Sequence, residues 1–148
     1  MDRFRGSAPA RLDDKGRLKV PNLFRQQIEE AFGHDLFVTS IHGRNFLLYP
    51  LNVWRQLEEK LAELPAIHRA KNKFLERVNY FGQDAAIDAQ GRVLIPQILR
   101  DAAKLPPDVV VTGNIDHLVV SDRGGLAKKL ATEEFGPEDY DELSKLLL

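Results

Sequence analysis

Residues 13–21 read DDKGRLKVP, and residues 88–96 read DAQGRVLIP. This duplication constrains the fold more than any other feature of the chain, because whatever one copy builds the other must build as well. The copies lie 75 residues apart and match outright at five positions: Asp13/Asp88, Gly16/Gly91, Arg17/Arg92, Pro21/Pro96 and Arg25/Arg100. Apolar character is kept at Leu18/Val93, Val20/Ile95, Leu23/Ile98 and Phe24/Leu99.

Each copy reads as strand, glycine turn, strand and proline-started helix. Gly16 and Gly91 supply a positive φ at little steric cost, as a tight turn between strands requires. Asp13 and Asp88 accept hydrogen bonds from turn amides. Arg17 and Arg92, four residues on, are placed to pair with those carboxylates. Pro21 and Pro96 suit a first helical position, where no amide hydrogen is needed. Two roles are open for the Asp–Arg pair. It locks the turn, or it aims the arginine at an anion such as phosphate, and the two copies need not share a role.

Periodicity extends the unit. Strands are expected at 10–13 and 17–20, then a helix at 22–32 with Phe24, Ile28, Ala31 and Phe32 on one face. A hairpin follows at 36–40 and 46–49, then a helix at 51–64 with Trp54, Leu57, Leu61 and Leu64 in one stripe. A further helix at 67–78 has no counterpart in copy two. Its Arg69, Lys71, Lys73 and Arg77 are a solvated face or a binding surface. Copy two repeats the pattern with strands at 84–88 and 92–95, a helix at 96–104, a hairpin at 109–112 and 118–121, and a helix at 124–135. Thr39 with Thr112, and Asn45-Phe-Leu-Leu with Asp116-His-Leu-Val, carry the register. Residues 1–10 are expected to form a basic mobile arm, with Phe4 as its anchor. The expected layout is one pseudo-symmetric domain over 1–148: repeat one at 8–64, a helical insert at 67–78, repeat two at 84–135 and a terminal helix at 137–148. Neither unit is large enough to bury a core alone, so an α+β fold is expected in which the interleaved units close one small β-barrel with helices outside.

Charge is distributed unevenly. Residues 1–25 hold seven basic and three acidic groups, whereas residues 101–148 hold five basic and ten acidic ones. A basic end suggests a polyanionic partner, against the alternative of merely solvated charge. An enzyme is not expected. The four histidines (His34, His42, His68 and His117) lack metal-ligand spacing, cysteine is absent, and neither a phosphate-cradling loop nor a nucleophile elbow is present. No cofactor, small-molecule substrate or membrane partner is expected, and a cytoplasmic location is. The terminal segment around Tyr140, Leu143, Leu146 and Leu147 would expose an apolar stripe, a common mark of a partner surface.

Phe4-Arg5-Gly6, then Leu12 through Arg17 with Val20-Pro21, and the second Asp88-x-x-Gly91-Arg92 with Ile95-Pro96 resemble the MraZ family over essentially the whole chain. The resemblance implies a double-split β-barrel related to AbrB-like and MazE-like modules. It also implies a transcriptional regulator of the division and cell-wall gene cluster. Such a protein would be a ring-shaped homo-oligomer binding direct repeats upstream of those genes. On that reading Arg17 and Lys15 approach the DNA groove, while Arg3, Arg5, Arg11 and Lys19 mostly hold phosphates. Asp13, Gly16, Asp88, Gly91 and Arg92 are the structural part of the motif. Gln90 stands where copy one has Lys15, so the copies are not expected to touch DNA alike. The alternative reading is a protein-interaction module, such as an antitoxin that binds its toxin through the acidic end.

Overall fold

The computed structural model describes residues 3–148. Copy one begins with β1 (Ser7–Arg11), β2 (Arg17–Lys19) and α1 (Asn22–Ala31), followed by the hairpin β3 (Asp35–Thr39) and β4 (Phe46–Pro50) and by α2 (Leu51–Ala62). The insert is α3 (Arg69–Phe81). Copy two supplies β5 (Gln83–Ala86), β6 (Arg92–Leu94), α4 (Gln97–Ala103), the hairpin β7 (Asp108–Asn114) and β8 (His117–Asp122), α5 (Arg123–Thr132) and α6 (Pro137–Leu147).

The fold is α+β, with every strand pair antiparallel. Six strands form one sheet in the order β1-β7-β8-β4-β3-β5, and β2 pairs with β6 in a separate two-stranded ribbon. The copies exchange strands: β1 of copy one pairs with β7 of copy two, and β5 of copy two pairs with β3 of copy one. The sheet does not close on itself by strand pairing among the described residues, because β1 and β5 are its edges. The expected closed barrel is thus seen as an open sheet plus a ribbon. Each edge strand runs through a turn directly into that ribbon, with Leu12 bridged to Leu18 and the Asp88 amide donating to the Arg92 carbonyl at 2.9 Å.

A pseudo-two-fold relates the copies. In the ribbon Leu18 faces Val93, Arg17 faces Leu94 and Lys19 faces Arg92, so equivalent positions meet at the centre. The Val20 amide donates to the Gly91 carbonyl and the Ile95 amide to the Gly16 carbonyl, both at 2.9 Å. The same axis passes between β4 and β8, where Leu47 faces Val119. This corrects the register expected for the second hairpin by one residue. Phe46 and Leu48 correspond to Leu118 and Val120, all buried, and Pro50 and Asp122 both cap the next helix. Side chains alternate across a sheet with period two, so burial fixes the register where the Leu-Leu and Leu-Val similarity misleads.

The core draws on both copies. Leu18, Val20, Phe24 and Ile28 pack with Val93, Ile95 and Leu99 and with the inward residues of the sheet. A second cluster covers the other face of β3 and β4: Phe37 stacks on Trp54 at 4.7 Å, and α3 adds Val78 and Phe74. Thr39 Oγ1 donates to the Val78 carbonyl at 2.6 Å and fastens α3 to the sheet.

The basic N-terminal stretch is not a mobile arm over its described residues. Ser7 to Arg11 pair with Thr112 to Asp108, and Phe4 is buried against Phe24 with its amide donating to Ile115 at 2.8 Å. Met1 and Asp2, also assigned to that arm, lie outside the described residues. Only Ala8 and Ala10 turn toward the core from β1, so its alternation is nearly silent in hydropathy. Pro9 is tolerated because β1 is an edge strand. Pro21 and Pro96 each stand one residue before their helix, at ψ 140 and 139, rather than at its first position. No helix among the described residues is long and apolar enough to cross a membrane.

Candidate nucleic-acid interface

The two turns are built alike. Gly16 and Gly91 adopt φ +80 and +79, which is the left-handed region expected of them. Asp13 Oδ1 accepts from the amides of Lys15 and Arg17 at 3.0 and 2.8 Å; Asp88 Oδ1 accepts from those of Gln90 and Arg92 at 2.9 Å each. These amides hold both carboxyls below their ordinary pKa, the Arg17 amide being the largest cause for Asp13 and the Arg92 amide for Asp88.

The arginines then diverge. Arg17 Nε donates to Asp13 Oδ2 at 2.7 Å, a charge-assisted hydrogen bond. Arg92 Nε stands 3.8 Å from Asp88 Oδ2, too far for a hydrogen bond, and is buried with no acceptor among the described residues. Its Nη2 donates to Gln90 Oε1 instead. Two side chains of the turn differ between the copies, Asp14 against Ala89 and Lys15 against Gln90, and the second bears on the arginine. A glutamine carbonyl accepts from a guanidinium, whereas the lysine at the equivalent position of copy one cannot.

The ribbon brings both motif arginines to one open groove of about 520 Å³. Arg11, Arg17, Lys19, Arg92 and Arg100 line it with Asp13 and Asp14, five cations against two carboxylates. Asp13 is already paired with Arg17. Of the residues named from sequence, the groove unites Arg11, Arg17, Lys19, Asp13, Gly16 and Arg92. Lys15 is exposed at the adjoining turn. Arg3 and Arg5 are not brought to the groove. They flank Phe4 beyond the Ser7 end of β1, near Ile115 and the α1 residue Gln27, whereas Arg11 ends the strand at the groove.

Sequence reasoning did not place Arg92 among the cations of this surface, nor Arg100. The signal was present, because Arg25 and Arg100 are the fifth identity of the duplication. Their purpose emerges only from the exchange of strands, by which each reaches the other copy's turn. A Cβ built on Gly16 would lie 2.3 Å from the Arg100 guanidinium, and one built on Gly91 would lie 2.8 Å from that of Arg25.

The chain matches the sequence model of the family described as "MraZ protein, putative antitoxin-like" over residues 4–77 and 83–133. It is 44% identical over 142 residues to a protein named transcriptional regulator MraZ from Acidobacterium capsulatum, covering 96% of this chain and 97% of the relative. The protein of that name from Koribacter versatilis is also 44% identical, over 144 residues, covering 97% of this chain and 98% of the relative. The one from Syntrophobacter fumaroxidans is 34% identical over 117 residues, 79% and 77% of the two chains. With the doubled turn and these matches spanning nearly all its length, the chain belongs to the MraZ family.

Proposed function

We propose that this chain is a sequence-specific DNA-binding transcriptional regulator, and that the groove along the β2–β6 ribbon is its DNA-binding face. The observation that carries this reading is the excess of cations in that groove, gathered from both copies around the β2–β6 ribbon. Arg17 is the base-reading residue. Its Nε is held by Asp13, which leaves the terminal nitrogens to fork onto guanine O6 and N7. Lys15, Arg11 and Lys19 neutralise phosphates and give affinity without sequence information. The names of the relatives agree with a regulator of transcription.

The finer reading follows the family resemblance. Sheet and ribbon together are read as a double-split barrel. The targets are direct repeats upstream of division and cell-wall genes. The protein acts as a ring-shaped homo-oligomer in the nucleoid. Self-association is supported by α6, none of whose residues is buried, with Tyr140, Leu143, Leu146 and Leu147 exposed. Head-to-tail subunits present their faces in one sense, which suits direct repeats recurring at about one helical turn, roughly 10–10.5 bp.

A salt-titrated selection from genomic promoter fragments, with sequencing of the retained DNA, tests the reading. Retained fragments are expected to share a repeated box and to be released as salt rises. Absence of binding at low salt, or retention without any shared sequence, contradicts it.

A further inference from the structure

The pseudo-two-fold gives the ribbon two sides that have the same backbone and different charge. Around the first-copy turn stand Arg11, Lys15 and Lys19; their equivalents around the second-copy turn are Ala86, Gln90 and Leu94. Asp14, replaced by Ala89, offsets one of these three differences. The sharpest contrast lies in the crossed arginines. Arg25, which covers the second-copy turn, donates to Glu29 Oε1 at 3.1 Å and to the Ala89 carbonyl at 3.0 Å. Its charge is met by a carboxylate four residues on in α1.

Arg100 has no such partner. The residue four positions on is Lys104, at the left-handed C-cap where α4 has already ended. Arg100 Nε donates to the Ile95 carbonyl at 3.0 Å, and none of the ion pairs among the described residues includes it. Its guanidinium lies flat against Gly16, where any side chain would collide with it. That contact and the single Nε bond fix the group in place. The terminal nitrogens donate to no described residue, and Arg100 lines the groove beside Arg17 and Arg92. A guanidinium that is half-buried, oriented and unneutralised is prepared for an anion, and it loses little side-chain entropy on meeting one.

We propose that Arg100, contributed by the second copy, is a phosphate-binding residue of the first-copy turn. The DNA-binding face is then composite and one-sided: copy one supplies the reading arginine and copy two the clamp on the adjoining backbone phosphate. Arg25, neutralised by Glu29, serves only to brace its turn. This inference rests on the reading of the groove as the DNA-binding face.

Full-length wild type, Arg100→Gln and Arg25→Gln are to be compared by fluorescence anisotropy, on a promoter duplex and on an unrelated duplex, across a salt series. Arg100→Gln is expected to weaken binding to both duplexes to the same degree and to lower the salt slope by about one unit. Arg25→Gln is expected to leave the slope unchanged. A brace that merely props Gly16 would lower affinity without moving the slope, so an unchanged slope for Arg100→Gln overturns the proposal. If that variant fails to fold, Lys104→Glu takes its place, since the Lys104 amide donates to the Arg100 carbonyl at 2.9 Å and a carboxylate on that residue stands one turn from Arg100. It should lower the slope further than Lys104→Gln, and equal slopes overturn the proposal. Failure of the wild type to bind either duplex at low salt overturns the reading of the groove itself, a result distinct from wild-type binding with no effect of Arg100.

Discussion

Leu18 and Val93 face each other at the centre of the ribbon, and they are the same position of the two copies. Each is fully buried, so each copy's central strand finishes its packing only against the other copy. The duplication is therefore a single folding unit written twice in the sequence. Leu18→Ala is expected to cost ~2–5 kcal/mol in chemical denaturation, through lost transfer energy and the cavity left behind. Val93→Ala should couple with it, so that the double variant departs from the sum of the singles. Strict additivity would contradict the shared centre.

A second expectation concerns the tip of the second turn. Gln90 Oε1 accepts from Arg92 Nη2, while Arg92 Nε stands 3.8 Å from Asp88 Oδ2. Gln90→Lys removes that acceptor. In a crystal structure of the variant, Arg92 Nε should close onto Asp88 Oδ2 to a distance like the 2.7 Å of Arg17 and Asp13. An Arg92 that stays where it is would show that the divergence has another cause.

Acid should weaken the fold through the two turn carboxylates. Asp13 and Asp88 both have folded pKa values lowered from 3.8, chiefly by the amides of Arg17 and Arg92. A lowered carboxylate pKa contributes stability that is fully present above the unfolded value and is lost as pH falls through the folded one. Thermal midpoints of the wild type should therefore fall once pH drops below about 4. The Asp13→Asn, Asp88→Asn double variant, which keeps an acceptor oxygen but no titrating group, should show a shallower fall. An identical pH profile for the two proteins would contradict this assignment.

Much of this was legible in the sequence, for reasons that can be named. The turn glycines, the Asp–Arg spacing and the amphipathic face of α1 are local signals, and local signals survive in a sequence. β1 was not legible because its inward residues are Ala8 and Ala10, too small to mark an alternation. The register of β8 slipped by one because Leu118-Val119 resembles Leu47-Leu48, whereas burial aligns Leu118 with Phe46. Arg100 was visible as an identity, yet its place over Gly16 depends on strands exchanged between copies, and no local pattern encodes that exchange.

Assembly gives a further expectation. Leu143→Asp with Leu147→Asp places charge in the exposed stripe of α6 without touching a buried residue. Native mass spectrometry should show the variant as a smaller species than the wild type. Its affinity for a repeated operator should fall by roughly 10²–10⁴, since linked sites bind by avidity. An unchanged mass would place the self-association surface elsewhere.

Whether the first-copy turn reads DNA through Arg17 is decided by a mobility-shift titration of Arg17→Ala against the wild type on the selected operator. The variant is expected to fold and to lose on the order of 1–3 kcal/mol of operator binding, with relaxed discrimination at one base position. A folded Arg17→Ala protein that binds the operator with wild-type affinity and wild-type discrimination would contradict a reading role for Arg17.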